Sequence, residues 1–154
     1  MVKYNQLVFL DGKEKALDAL FKGDTDEQSS PAIFGYLAIG YNETDNGFED
    51  PADEDADVDE NGGFKEIVDA TGYKRIPLTA VAESTVKDPK NGQIIKKYEA
   101  ELPADVITNN YINQFAICDN GDVNSDTTFY SAATFTTFLK TDSTSITFII
   151  GFKI

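Results

Sequence analysis

The residues best supplied for chemistry are carboxylates. Asp55, Asp57, Asp59 and Glu66 fall at positions 1, 3, 5 and 12 of the spacing by which an EF-hand loop wraps one calcium ion. The match breaks at position 6, where a sharp turn needs Gly and the chain has Glu60. It also breaks at position 8, where Gly62 stands in place of a β-branched residue. These four acids are therefore weak metal candidates. The expectation is a solvated acidic loop with no cofactor; weak Ca²⁺ or Mg²⁺ association through several carboxylates stays open. Asp119, Asp122, Asn124 and Asp126 form a second oxygen-rich stretch, read as a turn because Asp and Asn side chains satisfy turn backbone groups.

Other catalytic chemistries lack their parts. The chain has no His, which removes the usual general base and every Ser-His or Cys-His nucleophile pair. Its one cysteine, Cys118, sits in the apolar run Phe115–Cys118 and reads as a small buried hydrophobe. Glycosidase chemistry needs two carboxylates at a defined separation in a cleft, and no pair stands out among 27 acids. A phosphate-cradling glycine loop and a Gly-x-Ser-x-Gly elbow are both missing. The expectation is a protein that is not an enzyme and has no catalytic residues.

Charge sharpens this. The net charge is −14, and Glu43–Glu60 supplies ten of the acids with no Lys or Arg among them. The remaining 17 acids face 13 bases, so the acidity is mostly local. No basic footprint for nucleic acid is present. No apolar run reaches the length of a membrane span. Met1–Gln6 has neither a basic n-region nor a long apolar h-region, so use in a reducing cytosol, or assembly there into something larger, is expected.

The elements that must position these groups read as mainly β. Gln6–Leu10 is a short apolar run. Lys13–Phe21 carries Ala16, Leu17, Leu20 and Phe21 at helical spacing and predicts one short N-terminal helix. Ile33–Tyr41 is apolar on both faces, so it is expected to be covered on both sides or to lie at an interface. The acidic loop, about 42–63, is longer than an ordinary connection. Phe64–Ala70 reads as one or two helical turns with Phe64, Ile67 and Val68 inward. Tyr73–Ala82 reads as a strand, with Pro77 marking an edge or bulge. Asp88–Gly92 is a turn. Gln93–Leu102 and Tyr111–Cys118 are strands, the second with Ile112, Phe115 and Ile117 in the core. Phe129–Phe138 and Ser145–Lys153 alternate Thr with Phe and Ile and read as a closing hairpin. One domain over 1–154 follows, an antiparallel β-sandwich or jelly-roll-like fold.

Arg75 is the base of most interest. It follows the acidic loop within Gly72-Tyr73-Lys74-Arg75-Ile76-Pro77-Leu78, and Arg suits bidentate carboxylate contacts. Tyr73, Lys74 and Arg75 are the candidate interface residues, and a partly buried ion pair of Arg75 is expected in the fold or with a neighbouring subunit. The order of pieces carries a resemblance. An amphipathic Lys13–Phe21 precedes a strand ending Leu37-Ala38-Ile39-Gly40-Tyr41, then the acidic loop, the Gly72–Leu78 heptad, the Tyr111–Asp119 strand and the Phe-Thr-rich end. This is similar to small virion proteins of tailed bacteriophages, the β-sandwich modules of capsid decoration proteins and of tail-fibre or baseplate components. The resemblance implies a non-enzymatic virion protein, assembled in the host cytoplasm in many copies or as a homo-oligomer. Its partners would be the major capsid protein or other virion proteins. A capsid decoration or auxiliary role, a tail, collar or baseplate role, and a carbohydrate- or receptor-binding role for Tyr36, Tyr41, Phe48 and Tyr73 all stay open.

Overall fold

Nine strands form two antiparallel sheets in the computed structural model, which describes residues 6–9, 12, 34–43 and 63–153. The strands are β1 (Gln6–Val8), β2 (Tyr36–Gly40), β3 (Ile76–Pro77), β4 (Thr79–Ala80), β5 (Val86–Asp88), β6 (Gln93–Leu102), β7 (Asn110–Cys118), β8 (Phe129–Lys140) and β9 (Ile146–Lys153). The first sheet runs β1-β8-β7-β2-β3. In the second, β4 and β5 share one side of β6 and β9 takes the other. The helix expected over Lys13–Phe21 and the acidic stretch 44–62 lie outside the described residues.

One apolar cluster joins the sheets. Leu37, Ile39 and Ile76 come from the first; Ala100 and Leu102 come from the second. Phe115 and Phe135 meet Phe148 of β9 with ring centroids 5.7 and 5.8 Å away. A smaller cluster covers the first sheet's other face, where Ala38, Ala116, Cys118 and Ala132 lie under Phe9, Phe64 and Phe129. β2 is thus covered on both sides, as its continuous apolarity demands. Small side chains occupy the second face because three aromatic rings close down on it.

Three expectations are corrected. First, Tyr73–Ala82 is not one strand. Pro77 has no N–H to give at the sheet edge, Leu78 N–H donates to Gly35 C=O (2.9 Å), and the chain crosses to the second sheet as β4. Second, β8 and β9 do not form a hairpin. β8 pairs with β1 and β7, whereas β9 pairs with β6 in the other sheet. Alternation gave each strand one buried face, which a pair of sheets satisfies as well as a hairpin does. Third, Phe64–Ala70 is not helical. Lys65 C=O accepts from Tyr41 N–H (2.9 Å) and Ile67 N–H donates to Ile39 C=O (3.1 Å), which prolongs the ladder beside β2. Phe64 is buried, but Val68 is 46% exposed.

The β6–β7 loop is held by an unusual cation. Lys140 has no solvent exposure, and its ammonium donates to the carbonyls of Ala104 (3.0 Å), Ile107 (3.3 Å) and Thr141 (2.8 Å). Three donors meet three acceptors. Burial lowers the Lys140 pKa, with Asp142 and Asp105 opposing that shift. The same loop holds Ile107 at φ 60°, a strained conformation for a β-branched residue that its burial and the Lys140 bond enforce. Gly72 fits beside it at φ 73°, where a Cβ would stand 2.9 Å from Asp105 C=O. Gly72→Ala is expected to cost about 1–2 kcal/mol, read as a lower urea midpoint at unchanged slope.

Candidate functional site

Tyr73, Arg75 and Glu66 form the most concentrated polar group among the described residues. The turns after residue 67 return the chain so that Tyr73 and Arg75 flank Glu66. Glu66 Oε1 accepts from Arg75 Nε (2.7 Å) and from Tyr73 Oη (2.6 Å), and Oε2 accepts from Arg75 Nη2 (2.8 Å). The Arg75 and Glu66 side chains are 3% and 10% exposed. Arg75 Nη1 donates to Asn120 C=O (2.9 Å), Asp122 C=O (3.1 Å) and Thr127 Oγ1 (2.7 Å), and Phe129 lies 5.7 Å from the guanidinium carbon. A planar five-donor fork is the side chain that can serve a carboxylate and two carbonyls at once.

The electrostatics follow from burial and from Glu66. Desolvation pulls the Arg75 pKa down, but hydrogen bonds and charge from Glu66 raise it overall. Burial pushes the Tyr73 phenol well above its ordinary range, and the Glu66 charge adds to this. Ile39 N–H donates to the same phenol oxygen (3.1 Å). Burial also pushes the Cys118 thiol up to about 11, with Arg75 opposing. Arg75, Tyr73 and Cys118 are thus all shifted toward their protonated forms.

The candidate interface set therefore splits. Arg75 is buried and finds its carboxylate in the same chain, just beyond the acidic loop. Tyr73 spends its hydroxyl on the same acid. Lys74 remains exposed and lines a cleft of about 460 Å³ with Glu99 and Glu101. Glu66, the one described residue of the four weak metal candidates, has both carboxylate oxygens hydrogen-bonded to Arg75, and Oε1 to Tyr73 as well. Asp55, Asp57 and Asp59 lie outside the described residues. The Asp119–Asp126 stretch is a turn, closed by Thr128 N–H on Asp119 Oδ1 (2.8 Å), Asp122 N–H on Asn120 Oδ1 (2.9 Å) and Asn124 N–H on Asp122 Oδ1 (2.9 Å). Its carbonyls are what hold Arg75.

Sequence reasoning missed a second joint. Asn113 and Gln114 are adjacent and both buried inside β7. Ile112 and Phe115, three apart, both pack in the main core, and the β7–β8 register shifts between Ile112 and Gln114. This irregularity frees two successive amides from the core side. Asn113 Oδ1 accepts from Asn42 N–H (2.9 Å), and its Nδ2 donates to Asn42 C=O (2.9 Å). Gln114 Oε1 accepts from Lys65 N–H (3.0 Å), and its Nε2 donates to Gly63 C=O (3.2 Å). The two amides thus grip both ends of the acidic loop. Two adjacent amides breaking the alternation of an apolar strand were the signal in the sequence.

Beside the Glu66 joint lies an open cleft of about 390 Å³. Tyr41 and Tyr111 stack along it with centroids 6.0 Å apart, and Asp69, Asn109 and Asn110 add polar groups. Of the aromatics expected to face outward, Tyr41 reaches this cleft. Tyr73 is committed to Glu66, Tyr36 packs against the smaller cluster, and Phe48 lies outside the described residues. No protein-family model, curated protein or solved structure matches the chain.

Arg75→Met strands a buried carboxylate and is expected to cost about 3–5 kcal/mol, whereas joint replacement of Arg75 and Glu66 by apolar residues of similar volume costs much less, both read by urea denaturation. Tyr73 gives a pH signature. Its folded pKa lies above its ordinary value of 10.0, so its stabilising contribution is complete below 10.0 and is lost as pH rises beyond that. Tyr73→Phe is expected to remove that part of the alkaline loss of stability, measured as thermal midpoint against pH.

Proposed function

We propose that this chain is a non-enzymatic β-sandwich module of a tailed-phage virion. In this reading it is a capsid decoration or auxiliary protein that docks on the shell in many copies and stabilises it. The observation that carries the non-catalytic part is the use of the buried ionisable groups. Arg75, Glu66, Tyr73 and Lys140 are all spent on backbone carbonyls, an amide or one another, and so hold loops in place. The sandwich part is supported by two sheets that share one apolar cluster. The virion part is supported by the resemblance in the order of segments. A decoration protein touches several shell subunits, so modest contacts add as avidity. Asn113 and Gln114 hold the described flanks of the acidic stretch, Asn42 and Gly63–Lys65, to β7, which suits a module whose loops take part in docking.

The test is localisation in a lysate of infected cells. The chain is expected to band with intact particles in a density gradient, and imaging at the shell separates a decoration role from a tail, collar or baseplate role. Recovery from the soluble fraction alone overturns the reading.

The Tyr41–Tyr111 cleft favours a second reading, carbohydrate or receptor binding. Stacked phenol rings beside two amides and a carboxylate offer a sugar both apolar contact and hydrogen bonds. On a glycan array, binding that is lost in Tyr111→Ala supports it, and a blank array overturns it. Tyr111 is 54% exposed, so this change leaves the core intact.

A further inference from the structure

β9 is the outer strand of the second sheet. It pairs with β6 from Ile146 to Lys153, and among the described residues nothing hydrogen-bonds to its other side. The direction of its backbone groups follows from β6. Lys97 accepts from Val81 N–H at its C=O (3.0 Å) and donates its N–H to Ser84 Oγ (3.1 Å), both on the β4–β5 side. Backbone direction alternates along a strand, so Lys96 and Tyr98 turn toward β9 and bond its Phe152 and Ile150. Thr147, Ile149, Gly151 and Lys153 therefore present N–H and C=O to the open edge. A row of unpaired groups on an eight-residue strand rich in Ile and Phe is a template for another strand.

We propose that β9 pairs antiparallel with β9 of a second copy of this chain, about a two-fold axis at Ile150, joining two sheets into one. This names a partner of the module proposed above and rests on that reading. The register follows from shape and charge. Ile149, 64% exposed, falls opposite the partner's Gly151. Space is open there, since a Cβ on Gly151 would meet only Ile95 Cγ2 at 4.0 Å. Lys153 falls opposite the partner's Thr147. In each chain Thr147 lies beside Glu101, so Lys153 reaches across the short threonine to the partner's Glu101. That acid shares its cleft with Glu99 and a single base, Lys74, and has room for a second cation. The inner side adds Phe148 against the partner's Phe152, both already packed on the core.

Sedimentation equilibrium on the full chain tests this. The expected mass is twice 16.9 kDa at high concentration. Ile149→Pro removes an outward N–H and none of the bonds to β6, so it is expected to give a monomer with unchanged circular dichroism. Lys153→Glu and Glu101→Lys are each expected to weaken the dimer about tenfold, and the double variant to restore it, because symmetry places each contact twice. A wild-type chain that stays monomeric overturns the pairing, as does a dimer that survives Ile149→Pro or a charge swap without rescue. Should Ile149→Pro fail to fold, the charge swap decides alone. A monomer that still bands with particles overturns only the pairing, whereas a dimer that never bands overturns only the virion reading.

Discussion

Much of the described structure depends on the pairing of Arg75 with Glu66. A guanidinium this far out of water carries a desolvation cost that only good geometry offsets. Here the geometry is bidentate, and the remaining donors meet carbonyls and a hydroxyl. The pair ties three stretches that are distant in sequence: the segment leaving the acidic loop, the approach to β3, and the 119–128 turn. Tyr73 closes the group by donating to Glu66 and accepting from β2. An apolar cluster of the same size would fill the space, but it would leave the Asn120 and Asp122 carbonyls without that donor.

The same principle recurs at two further places. Lys140 serves the β6–β7 loop, and Asn113 with Gln114 serves the ends of the acidic loop. In each case a buried side chain supplies the donors or acceptors that irregular backbone cannot find in a ladder. Among the described residues no buried side-chain polar atom lacks a partner. The buried polar side chains of the described residues are therefore all satisfied, which is the condition under which such groups help to specify one structure. Its effect is to fix where loops leave the sheets while the sheets themselves are held by apolar packing.

This division bears on function. Buried charges work on loop placement, and the open features among the described residues are a strand edge and a stacked tyrosine cleft. The strained Ile107 and the left-handed Asn109 lie at the cleft end of the β6–β7 loop, so the strain is held next to an exposed surface.

The long strands β6 to β9 were legible in the sequence because alternation and turn residues act over short distances, whereas the short β3, β4 and β5 were not. Gln93–Leu102 reads as a strand from its own pattern and forms one, and the Asp88–Gly92 turn leads into it. The unbroken apolarity of β2 left two readings, cover on both sides or an interface, and packing on both of its faces decided between them. The interest of Arg75 was legible because a base beside so many acids needs a partner. What the sequence could not determine was which acid, since any of several carboxylates satisfies charge. Only the turns after Ile67, which set Glu66 at 2.7 Å from Arg75, decided it. The same holds for β9. Its alternation specified a half-buried strand but not a sheet, because period-two burial is equally satisfied beside β8 or beside β6. The tertiary structure placed it on β6, and that placement leaves its other side without a strand partner among the described residues.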